Sequence, residues 1–123
     1  MSISIDDSRP IFMQVAESIE DDIIQGRLPE ETQVPSKNEF AAFYQINPAT
    51  ASKGVNLLAD EGILYKKRGI GMFVATGARQ VLIEKRKELF FEQYVVSMIR
   101  EAKKLGITTE QLTELIQRGD NGQ

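Results

Sequence analysis

The stretch Val34-Pro35-Ser36-Lys37-Asn38-Glu39-Phe40-Ala41, continued by Ile46-Asn47-Pro48-Ala49-Thr50-Ala51-Ser52-Lys53 and closed by Glu61-Gly62-Ile63-Leu64-Tyr65-Lys66-Lys67-Arg68-Gly69-Ile70-Gly71-Met72-Phe73-Val74, decides the fold. Ser36 can cap a helix through its hydroxyl, and Glu39, three residues on, completes a capping box. That helix offers Phe40, Phe43 and Tyr44 as an apolar face and is cut short by Gln45-Ile46-Asn47. Asn47 is a good N-cap and Pro48 a good first helical residue, so a third helix starts after a turn of about three residues. Along it Ala51, Gly54, Val55 and Leu58 share one face, leaving Ala49, Thr50, Ser52, Lys53 and Asn56 on the others. Gly54 costs about 1 kcal/mol of helix propensity relative to Ala, and close packing against the second helix is the expected reason for it. Gly62 stops the helix. Ile63-Leu64-Tyr65 and Met72-Phe73-Val74 then suit paired strands around the basic, glycine-rich tip Lys66 to Gly71. Two capped helices at a tight turn followed by such a hairpin make a winged helix-turn-helix, a shape that fits double-stranded DNA.

Upstream, Phe12, Val15, Ala16, Ile19 and Ile23 repeat at three and four residues with Glu17, Glu20, Asp21 and Asp22 opposite. This predicts a first amphipathic helix that begins near Pro10 and stops at Gly26. Ser2-Ile3-Ser4-Ile5 alternates weakly, as a short edge strand would. Leu28 to Val34, with Pro29 and Pro35, reads as a connection. Downstream, a helical pattern runs from Arg79 to Leu105, charge-rich at first and then apolar around more than one stripe, which needs cover on more than one side. Gly106 ends it. Thr108, with Gln111 at the capping-box position, opens a last helix whose inner face is Leu112, Leu115 and Ile116, and Gly119 to Gln123 should fray. The fold class is therefore α+β, mainly α, with a winged helix-turn-helix domain over 1–76 and a helical tail over 77–123.

The bulk properties agree with one small domain and an accessory segment. In 123 residues there is no Cys and no His, which removes disulfides, thiolate or imidazole metal sites, and Cys or His nucleophiles and bases. The carboxylates sit mostly on polar helix faces as solvated charge, so neither an enzyme nor a cofactor nor a metal is expected. No run approaches the ~18 apolar residues of a membrane span and no secretory signal opens the chain, so a cytoplasmic protein without membrane contact is expected. The net charge of −3 is unevenly spread: residues 1–35 carry two basic and eight acidic groups, 36–76 five and three, and 77–123 eight and seven. The acid lies away from the proposed reader, so its local potential can favour a polyanion.

A helix entering a major groove leads with its N-terminal residues. Those here are Asn47, Pro48, Ala49 and Thr50, with Lys53 one turn on. Thr50 can bond a base or meet a thymine methyl, Lys53 can address guanine or phosphate, and Ala49 permits close approach. Asn47 is equally well explained as a cap alone. Ser36, with Lys37 and Asn38, can meet phosphate at the start of the second helix, although Ser36 too is fully explained as a cap. At the wing, Lys67, Arg68, Gly69 and Gly71 could reach phosphate or the minor groove.

Pro35-Ser36, Asn47-Pro48 with Thr50, Glu61-Gly62, and Arg68-Gly69-Ile70-Gly71 with Phe73-Val74 together resemble the DNA-binding domain of the GntR family of bacterial transcription regulators. The asparagine-proline start of the third helix and the short all-helical tail resemble its YtrA-like subfamily. The resemblance covers essentially the whole chain. It implies a homodimeric repressor on an inverted-repeat operator, in a setting that often joins its own gene to a transporter operon. It also implies a dimer interface in the tail. On the long helix the candidates are Leu89, Phe90, Phe91, Tyr94, Val95, Met98, Ile99 and Ala102; on the last helix they are Leu112, Leu115 and Ile116. One departure concerns Asn38, which stands where the family commonly has a basic residue. The larger effector domain of many members is also missing, and the tail is too short to close a ligand cavity of roughly several hundred Å3 unless two subunits share it. A winged helix that docks a protein through its tail or its acidic first helix is the competing reading.

Overall fold

The computed structural model describes residues 5–122. Its elements are α1 (Ile11–Ile24), α2 (Lys37–Tyr44), α3 (Pro48–Asp60), β1 (Leu64–Lys67), β2 (Gly71–Val74), α4 (Ala78–Phe90), a π-helical segment (Phe91–Val96), α5 (Ser97–Lys104) and α6 (Thr109–Gly122). The strand expected over Ser2 to Ile5 lies outside the described residues except for Ile5, which is in no strand. The chain forms two compact units, Met1–Glu84 and Lys85–Gln123.

In the first unit α1 supplies Val15, Ile19 and Ile23, α2 supplies Phe40, and α3 supplies Ala51, Val55 and Leu58 to a core closed by Leu64, Val74 and the Ala78 and Leu82 side chains of α4. Burying each of the large side chains stabilises the fold by about 1.5–3 kcal/mol. The boundaries follow from the local chemistry. Ser36 Oγ accepts from the Glu39 N–H at 3.1 Å while Glu39 Oε1 accepts from the Ser36 N–H at 2.8 Å. Asn47 Oδ1 accepts from the Ala49 N–H at 2.8 Å, and Pro48 opens α3. Gln45 takes the left-handed conformation that turns α2 back toward α3.

Several side chains differ from the sequence reading. The polar side of α1 is folded partly inward: Glu20 and Asp22 are buried, and Asp22 pairs with Arg27 at 2.8 Å. Gln14 is buried too, its amide bonded to the backbone of Asp6 and Arg9, which lays the lead-in segment against α1. Of the three aromatic residues of α2, Phe40 is fully buried and Tyr44 half-buried, whereas Phe43 is 59% exposed. The Tyr44 hydroxyl meets Ser18 Oγ at 2.6 Å and so ties α2 to α1. A Cβ on Gly54 would stand 2.7 Å from the Phe12 carbonyl oxygen and 3.0 Å from Val15 Cβ, so the glycine admits α1, not α2.

The hairpin is antiparallel, with Leu64 opposite Val74, Tyr65 opposite Phe73, Lys66 opposite Met72 and Lys67 opposite Gly71. Its strands are longer toward the tip than expected, so Lys66 and Lys67 are strand residues and only Arg68 to Ile70 form the turn. A third strand-like segment joins it. Gln33 bridges Phe73, the Val34 N–H donates to the Met72 carbonyl at 2.9 Å, and the Val74 N–H donates to the Thr32 carbonyl at 3.0 Å. The connection between α1 and α2 thus pairs with the wing.

In the second unit Thr108 and Gln111 form the expected capping box, at 2.9 and 3.1 Å, ahead of α6. That helix continues to Gly122, through the residues expected to fray. The apolar side chains of this unit remain largely uncovered: Phe90, Phe91 and Tyr94 are each more than half exposed, and the Phe90 and Tyr94 rings lie 5.5 Å apart.

Candidate nucleic-acid interface

Helix α3 buries Ala51, Gly54, Val55 and Leu58, and this fixes which residues it can offer outward. Pro48, Ala49, Lys53 and Asn56 are exposed, and Thr50 and Ser52 are half-exposed. Ala49, Ser52, Lys53 and Asn56 border one shallow open depression with Phe12, Leu57 and Asp60. Asn47 is exposed with its carbonyl oxygen engaged as the cap, which leaves its amide N–H groups available. Lys53 has a specific neighbour that its sequence position did not reveal. Its Nζ lies over the Phe12 ring, 4.1 Å from the centroid.

At the start of α2, Ser36, Lys37 and Asn38 are all exposed. The Ser36 oxygen is committed to the cap, while its hydroxyl proton can still be donated. The Glu39 carboxylate is likewise engaged by the Ser36 N–H.

The wing presents Lys67, Arg68 and Gly69 at its tip, all exposed, around a turn closed by the Ile70 N–H to Lys67 carbonyl bond of 2.9 Å. Gly69 has φ 78°, where a side chain is disfavoured. Lys67 Nζ lies 4.1 Å above the Phe73 ring centroid. Gly71, at the start of β2, also has a structural role. At φ 146° it lies beside Gln33, whose Nε2 would be 2.6 Å from a Cβ there, and that same Nε2 donates to the Ile70 carbonyl at 3.0 Å. Gln33 is therefore a wing residue, although it falls within the connection expected over Leu28 to Val34. Thr32 and Val34, both strand formers, were the available signal.

At the base of the wing, Glu31 accepts from Thr76 Oγ1 at 2.5 Å and from the Tyr65 hydroxyl. The hydrogen bond from Thr76, then that from Tyr65, with the Lys67 charge adding to them, hold the Glu31 carboxyl below its ordinary value. The hydrogen bond to Glu31 raises the Tyr65 phenol in turn. Tyr65 of β1 and Thr76, two residues past β2, thereby fasten the hairpin to the connection beneath it.

Of the tail residues singled out in the sequence, Leu89, Phe90, Phe91, Tyr94, Met98, Ile99, Leu115 and Ile116 are exposed. Val95 and Leu112 are half-buried, and Ala102 is buried within the chain. Among the described residues no group of three or more His, Cys, Asp or Glu side chains could hold a metal ion, and no helix is long and apolar enough to cross a membrane.

Residues 12–74 match the family model described as bacterial regulatory proteins, gntR family. The chain is 31% identical over 109 residues to the HTH-type transcriptional repressor YtrA of Bacillus subtilis, covering 89% of this chain and 83% of that protein. Among solved structures, a GntR family transcriptional regulator from Listeria monocytogenes superposes with a TM-score of 0.77 at 26% identity, covering 93% of this chain and 98% of the other. The DNA-binding domain of AraR, solved in complex with its operator ORR3, superposes with a TM-score of 0.54 at 29% identity over 61% of this chain and 90% of that domain.

Proposed function

The chain belongs to the GntR family of bacterial regulatory proteins, as a YtrA-like DNA-binding transcriptional regulator, and from this we propose that it is a homodimeric repressor whose two winged helices read the halves of an inverted-repeat operator. The observation that carries the reading is the outward ridge of α3, with Ala49, Thr50 and Lys53 accessible, in the same compact unit as the exposed basic wing tip. Asn47, Pro48, Ala49 and Thr50 enter the major groove and Thr50 meets a base edge. Ser36, Lys37 and Asn38 lie along the backbone at the mouth of the groove. Lys67, Arg68 and Gly69 follow the neighbouring phosphates or minor groove, while Gly71 shapes the wing.

The winged-helix domain expected over residues 1–76 draws in the start of α4, whose Ala78 and Leu82 pack in its core, and the tail beyond Glu84 holds two copies together. The exposed aromatic and aliphatic residues after Glu88 support this, because large contiguous apolar surface on a small protein marks an interface. An operator upstream of its own gene, shared with a transporter operon, is the expected setting, in the cytoplasm. The acidic face that would favour a protein-docking winged helix is weakened by the inward packing of Glu20 and Asp22.

The test is a binding titration with duplex DNA from upstream of the chain's own gene. Lys53→Ala combined with Arg68→Ala should lower affinity by at least about tenfold, each lost contact being worth roughly 1 kcal/mol or more, and should flatten the salt dependence. Affinity unchanged by the double substitution would remove these residues from the interface.

A further inference from the structure

Lysine is a flexible point charge, and holding its long side chain in one place has a substantial entropy cost. A surface lysine that must meet a phosphate gains if something on the protein already restrains it. Lys53 is restrained in this way by an element outside the helix-turn-helix. Its Nζ lies 4.1 Å from the centroid of the Phe12 ring, which belongs to the first turn of α1. The backbone that carries the ring is itself seated by the next residue of α3. Gly54 has no Cβ, and the Phe12 carbonyl oxygen stands 2.7 Å from where one would be. The Phe12 backbone therefore seats against Gly54 while its ring lies beneath Lys53. Phe12 is half-buried and outside the main core cluster, so part of the ring faces the depression that Ala49, Ser52 and Asn56 also border.

We propose that Phe12 is a positioning residue for DNA binding, holding the Lys53 ammonium on the α1 flank of α3 so that it meets a backbone phosphate at the groove wall. The assignment rests on the DNA-binding role of α3 proposed above. A cation above an aromatic face is attracted by the ring quadrupole, and the ammonium keeps N–H groups directed away from the ring for a phosphate oxygen. A lysine held on the helix flank meets backbone phosphates sooner than base edges on the groove floor. The contact is thus sequence-independent and salt-sensitive. The wing repeats the arrangement, with Lys67 above Phe73 at the same 4.1 Å.

The experiment is a double-mutant cycle in the full-length protein, read by fluorescence anisotropy on the upstream duplex and on a random-sequence duplex of equal length. Phe12→Leu keeps an apolar side chain and removes the ring. It should weaken binding about threefold on both duplexes, the size of an exposed cation–π contact. In a Lys53→Ala background the same change should have no effect, and Lys53→Ala should reduce the salt slope by about one. Phe12→Trp, with the strongest ring quadrupole, should bind at least as tightly as the parent. Equal losses from Phe12→Leu with and without Lys53, unchanged binding, or tighter binding on loss of the ring would each overturn the assignment while leaving the DNA-binding reading intact. Absence of binding by the parent protein to either duplex would instead remove that reading, and the positioning role with it.

Discussion

Glu31 shows how one exposed carboxylate can secure a functional loop. The Thr76 and Tyr65 side chains that donate to it come from just past the second strand and from the first strand of the hairpin, and they lower its carboxyl from the ordinary value. A carboxyl whose value is depressed on folding adds stability that is complete above its unfolded value and disappears as the pH falls through the folded one. The parent should therefore exceed Glu31→Gln in stability at neutral pH. The difference should shrink below about pH 4.5 and vanish in stronger acid. Urea unfolding at a series of pH values measures it, and a difference that is constant with pH would show that the carboxylate charge is irrelevant to the clamp. Asn38 is a second residue with a legible consequence. Exposed at the start of α2 in place of a basic side chain, it can exchange hydrogen bonds with a base or phosphate but adds no charge there.

At the scale of elements, α3 meets α1 through Gly54, and the contact is tight enough to test. Gly54→Ala would gain about 1 kcal/mol of helix propensity. The new Cβ, however, would lie 2.7 Å from a backbone oxygen, which cannot swing away as a side-chain tip can. Net destabilisation of about 1–3 kcal/mol by urea unfolding is expected, in the range of overpacked cores. Gly119→Ala in α6, where nothing lies within 4 Å, is the control and should not destabilise. The helix caps, the tight turn and the hairpin were legible in the sequence because each has a local cause within three or four residues. The partner of Gly54 was not, since α1 and α2 both present apolar stripes and spacing cannot say which one reaches α3. The strand-like pairing of Gln33 was hidden for the same reason. Its partners Ile70 and Phe73 are far along the chain, and the two strand formers beside it, Thr32 and Val34, make too short a run between two prolines to reveal the pairing. Phe43 followed the helical spacing of α2 yet remained outside, because a short helix buries only the residues that its neighbours cover.

For the molecule as a whole, the proposal that the tail joins two copies is tested by the oligomeric state. Phe91, 58% exposed, lies in the π-helical segment amid the uncovered aromatic residues. Phe91→Asp should shift the mass in solution from twice 13.8 kDa toward 13.8 kDa by light scattering. A carboxylate forced into an apolar interface is left without a partner. A dimer unaffected by that change would place the interface elsewhere. In the proposed dimer, paired half-sites would multiply weak contacts, which suits a reader with only five basic groups between residues 36 and 76. The wing belongs to this scale as well. Its second strand is laced to residues 31–34 by the bonds of Glu31, Thr32, Gln33 and Val34, so the hairpin is no detachable cassette. An engineer wishing to transplant it onto a relative would have to carry two separate pieces of chain, the ribbon itself and the short backing strip that precedes α2.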